Sequence, residues 1–217
     1  MKIQSGNTLA ISLFLTIVPD LGAQASIPQI TVGFVNNAAM DPKALRQGLE
    51  FAATTLRWTG VALLSVDCSL EGASTTPPCS GFTGPNQVSI RLVRESQKGA
   101  KEIDLQRLGF ADPLDARPGS GSVYLFCETI KTAARDQSVP LRHILGVVIT
   151  HEIGHLLIAP GHSDAGIMRG RLEGKDWCKA SQGKLRFTRE QANIIREGIL
   201  SRSRQPLSVG SRALGSN

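Results

Sequence analysis

The apolar run from Leu141 to Ile158 is interrupted by His151, Glu152 and His155, and no other stretch restricts the fold so strongly. Leu141, Ile144, Leu145, Val148 and Ile149 recur at helical spacing behind Pro140, which predicts a helix opened by that proline, with Ser138 or a near neighbour as its cap. Residues four apart share one helix face, so His151 and His155 present their imidazoles to the same point, with Glu152 one step round. An apolar helix does not bury these polar groups unless something holds them. A metal ion does so: in the H-E-x-x-H arrangement zinc takes both histidines and the glutamate serves as general base. His162, beyond the helix, is the candidate third ligand. Three protein ligands leave a fourth position for water, as in catalytic zinc sites. The remaining one of the chain's 4 histidines, His143, has no partner in sequence and reads as a surface or helix-packing residue.

From His151 to Met168 the chain resembles the metzincins, whose pattern is H-E-x-x-H-x-x-G-x-x-H followed by a methionine turn. His151, Glu152 and His155 match directly, and Met168 in Gly166-Ile167-Met168 is similar to the Met-turn residue that floors the metal site. Two positions depart. Ile158 stands where the family has its glycine, and Gly161 where it has the third histidine, so that His162 comes one residue late. Pro160 and Gly161 supply the helix break by other means, since proline stops a helix and glycine permits a left-handed turn.

The resemblance implies one catalytic domain over residues 26–202, of mixed α+β or α/β class. It has a twisted mixed sheet, a crossover helix, the zinc helix, the Met turn and a C-terminal helix. It also implies a zinc-dependent endopeptidase, with one Zn2+ on His151, His155 and His162, Glu152 as catalytic base, and Met168 in a structural place. An extended peptide substrate would pair with an edge strand near residues 108–126. No tyrosine role carries over, because Arg169 follows Met168 and the lone Tyr124 is distant. Two rivals stand beside this reading. One is a different zincin, with Glu173 or Glu190 as third ligand. The other is an exported, non-catalytic zinc-binding protein on the same scaffold, against which the retained Glu152 argues.

The first residues read as a secretory signal: Lys2, an apolar run from Leu9 to Val18, the breaker Pro19-Asp20 and the small-residue site Ala23-Gln24-Ala25. Cleavage after Ala25 predicts a secreted or periplasmic protein with no membrane segment thereafter. Losing Lys2 and Asp20 leaves the net charge at +6. That charge is spread along the chain without an aromatic-interleaved patch, so it argues for a solvated surface and against nucleic acid as a partner. A monomer is expected. The 4 cysteines, Cys68, Cys79, Cys127 and Cys178, suit an exported chain with disulfides. Cys68 and Cys79 bracket a Gly/Ser/Thr/Pro-rich loop, and the favoured pairing joins them and leaves Cys127 for Cys178.

Ile30–Val35, Val61–Val66, Val88–Val93 and Val123–Cys127 read as strands, and Asp41-Pro42 opens a helix that Gly60 ends. Strand, helix, strand implies a parallel pair. Residues 95–122 read as a long loop with a short edge strand, and 169–184 as loop. Thr188 caps a last helix through Leu200, and residues 203–217 form a disordered tail.

Overall fold

The computed structural model describes residues 27–69, 79–80, 84–94, 108–114, 119–158 and 161–204. The expected signal segment, most of the long loop and all but the start of the expected tail lie outside these residues. Strand β1 (Gln29–Asn36) leads to helix α1 (Pro42–Arg57) and to β2 (Ala62–Asp67). The Asp41 side chain accepts from the Ala44 N–H, so the expected cap is in place, with Pro42 at the first turn. Strands β3 (Gln87–Val93), β4 (Gly109–Pro113) and β5 (Gly121–Phe126) complete a five-stranded sheet of order β2-β1-β3-β5-β4. All its pairs are parallel except β4 with β5. The parallel pair implied by strand, helix, strand is therefore present, and the short edge strand is β4.

Five α-helices accompany the sheet among the described residues: after α1 come α2 (Cys127–Asp136), α3 (Leu141–Leu157), α4 (Gly174–Ser181) and α5 (Arg189–Ser203). The class is mixed α/β. Ile30 and Val32 of β1, Val88, Ile90 and Leu92 of β3, and Val123 and Leu125 of β5 alternate into one core with Leu45, Leu49, Ile144, Leu145, Ile149 and Ile153. Each such side chain contributes about 1.5–3 kcal/mol on burial. Helices α1 and α3 approach closely where their glycines leave room: Leu145 lies over Gly48, and the Phe51 ring lies over Gly146. None of the described helices is long and apolar enough to cross a membrane.

Several expectations are corrected. Cys127 is the first residue of α2 rather than the end of a strand, and α4 occupies part of the expected 169–184 loop. The cap of α3 is Pro140, with no side-chain hydrogen bond, and not Ser138. Helix α5 continues through Ser203, where Arg202 Nε donates to Asn86 Oδ1 at 2.7 Å and Asn86 Nδ2 donates to Ser203 Oγ at 3.1 Å. Ser203, expected in the tail, thus belongs to α5. Cys68 and Cys79 form a disulfide, but Cys127 and Cys178 do not. Cys127 is buried in the core and Cys178 lies exposed on α4, so their side chains face different environments.

Candidate metal centre

Helix α3 carries His151, Glu152 and His155 on its last two turns and ends at Leu157, with Ile158 extended beyond it. Gly161 has φ +127°, a backbone conformation suited to glycine, and the chain then brings His162 back toward the helix. One ring nitrogen from each of His151, His155 and His162 falls within 4.8 Å of the others. The Nε2 atoms of His155 and His151 are 3.0 Å apart. Among the described residues this is the group of metal-ligating side chains that converges, and neither Glu173 nor Glu190 joins it. Glu173 instead caps α4, exchanging hydrogen bonds with Asp176, and stands 3.6 Å from Lys175 Nζ.

The ring of His151 is oriented by the turn that follows His162. Its Nδ1 lies 2.7 Å from the Ile167 carbonyl. A carbonyl only accepts, so Nδ1 carries the proton and Nε2 keeps its lone pair toward the other two rings. Burial holds the His151 pKa below the usual histidine value, opposed by the Ile167 bond and aided by His162. For His155, burial first and then its two histidine neighbours lower the pKa to about 4. Both rings are therefore neutral at ordinary pH, the protonation state a metal requires.

This donor set fits a metal ion. Tetrahedral zinc with Zn–N near 2.0–2.1 Å places its ligand nitrogens about 3.4 Å apart, close to the separation of His151 and His155. Three converging imidazoles, one of them held in a single tautomer by a backbone acceptor behind it, suit a metal-ligand set. Comparison of the chain with protein-family models and with curated proteins finds no match.

Glu152 is only 6 % exposed and lies between α3 and the edge strand, where a Cβ on Gly109 would come within 3.3 Å of its Cγ. Met168 sits beneath the helix in a 3-10 turn, Gly166–Met168, and is buried. Its sulfur fills the space where a side chain at Gly154 would begin, and Phe187 borders the same notch. Gly166 has φ +73°, and Ile167 N–H donates to the Arg186 carbonyl at 2.9 Å, fastening the turn to the segment before α5. His143 packs edge-on against Phe51, in keeping with a helix-packing role.

Sequence spacing does not reveal the residues behind the ligands. The Ile167 carbonyl is a backbone group, and Gly170, over which the His162 ring lies, belongs to no motif. Thr188 and Gln191 do fall at capping-box spacing. That spacing predicts their bonds to each other but not the reach of Gln191 to Ser163, at 2.9 Å.

Proposed function

We propose that the chain is an exported zinc-dependent endopeptidase of metzincin-like type. The observation that carries this reading is the convergence of His151, His155 and His162 beside a buried Glu152. His151, His155 and His162 would hold the zinc, which would supply Lewis acidity toward a carbonyl and acidify a water to a pKa of about 7. Glu152 takes the proton from the attacking water and returns it to the leaving amine. Its side chain is buried against Gly109 of β4, which limits its freedom. His151 and His155 stay neutral and hold their geometry, the first through Ile167.

Strand β4 supports an extended substrate. It ends the sheet, runs antiparallel to β5 and passes beside Glu152, so a peptide could add to its outer edge as a further strand. The Cys68–Cys79 disulfide and the N-terminal segment 1–25 support export to an oxidising compartment.

The test is metal content measured beside cleavage of a peptide library, for the native chain and Glu152→Gln. We expect one zinc in each, with chelator-sensitive cleavage in the native chain reduced about 100- to 10,000-fold in the variant. Zinc in both without cleavage favours the non-catalytic binding protein. Correctly folded native chain that takes up no zinc sinks the site.

A further inference from the structure

His162 differs from its two partners in how it is held. His151 and His155 stand on a helix packed into the core, whereas His162 is exposed and sits on irregular backbone. Its place therefore depends on what fixes the chain at residue 163.

Ser163 answers that with three bonds. Its N–H donates to the Met168 carbonyl at 2.9 Å. Its hydroxyl donates to the Ala165 carbonyl at 2.8 Å. Its oxygen accepts from Gln191 Nε2 at 2.9 Å, across 28 residues. The amide of Gln191 has no freedom to turn over, because its Oε1 accepts from the Thr188 N–H at 2.9 Å. Every proton in this chain of bonds is thus assigned by a partner that can act in one way: Thr188 N–H to Gln191, Gln191 to Ser163, Ser163 to Ala165. Gln191 is 9 % exposed, so its amide has little access to water as a substitute partner.

We propose that Gln191 and Ser163 form a latch that positions His162 as the third metal ligand, so that α5 tunes the affinity and geometry of the centre without touching the ion. Gln191 is a positioning residue in this scheme, acting through Ser163 on the neighbouring histidine. The inference rests on the zinc reading of His151, His155 and His162.

The test compares the native full-length chain with Ser163→Ala, Ser163→Thr and Thr188→Ala, using zinc and cobalt(II) alone as probes. Zinc affinity is read by chelator competition, coordination geometry from the visible spectrum of the cobalt form, and stability from melting of the metal-free chain. Ser163→Ala removes the acceptor of the latch and leaves the α5 capping box intact. It is expected to weaken zinc binding about 10- to 100-fold and to alter the cobalt spectrum. Ser163→Thr keeps the hydroxyl and restores both. Thr188→Ala removes a helix cap but leaves the backbone N–H that orients Gln191. It should lower the melting temperature by about 2–4 °C with native affinity and spectrum.

Native zinc affinity and native spectrum in Ser163→Ala overturn the latch, and so does a Thr188→Ala variant that loses zinc as strongly as Ser163→Ala. A native chain that binds no zinc overturns the site reading and the latch with it, an outcome told apart by the native measurement alone.

Discussion

Gly154 is an unspecified position of the H-E-x-x-H pattern, yet packing makes it one of the most constrained residues of the centre. Met168 Sδ lies where its Cβ would be, and Phe187 Cε1 is 3.0 Å from the same point. Gly154→Ala must push the Met turn away or lift α3, and the turn carries the Ile167 carbonyl that orients His151. Overpacking of this kind costs about 1–3 kcal/mol, and urea unfolding of the metal-free variant should show a loss of that size despite alanine's better helix propensity. Unchanged stability would mean that Met168 does not occupy the notch. The convergence of His151 and His155 is legible in sequence because a spacing of four on a helix fixes a shared face. The notch is not, because it joins positions 154 and 168 through a turn whose path no periodicity encodes.

Helices α2 and α4 escaped the sequence for a related reason. Helix α2 begins at Cys127 directly on the end of β5, with Phe126 as a cap that makes no side-chain hydrogen bond, so no boundary signal separates strand from helix. Helix α4 is 8 residues long and is opened by acidic Glu173 and Asp176, whose capping box is completed by an ion pair from Arg169 at 2.7 Å. By contrast, α1 and α5 carry Asp41 and Thr188 as caps, so their starts are legible in sequence. Pairing Cys127 with Cys178 by elimination takes no account of where α2 and α4 place them, one buried and the other exposed. The element positions predict different thiol behaviour. Without reductant, the folded chain should be alkylated at Cys178 within minutes and at Cys127 only after denaturation, while Cys68 and Cys79 stay protected. Peptide mass mapping reads all four, and protection of Cys178 in denaturant would reinstate the expected bridge.

Across the whole molecule, burial of ring nitrogens makes the metal-free fold sensitive to acid. His143, His151 and His155 all have pKa values lowered chiefly by burial, with His155 at about 4 against 6.5 for an ordinary histidine. As pH falls below 6.5 the unfolded chain takes up these protons first, so it binds more of them than the folded chain. Stability therefore falls with pH, for His155 over the window from about 6.5 to about 4. Melting temperatures of the metal-free chain should decline from pH 7 to pH 5, and His155→Gln should flatten that slope. An equal slope in the variant would remove His155 from the cause.

Helix α5 gives this architecture a further property. Its first turn holds Ser163, and its last turn is keyed to Asn86 through Arg202, 116 residues apart in sequence. Asn86 stands just before β3, so one rod spans from the histidine cluster to the entrance of the central strands. In small zinc modules the ion organises a chain that is otherwise unfolded. Under the latch proposed above the order would be reversed: Asn86 and the last turn of α5, 116 residues apart, would have to meet, a long-range closure with its own entropic cost, before the third histidine is set. A nascent chain already carrying all three histidines but not yet residues 189–203 would, on that proposal, still lack the rod that seats the last of them.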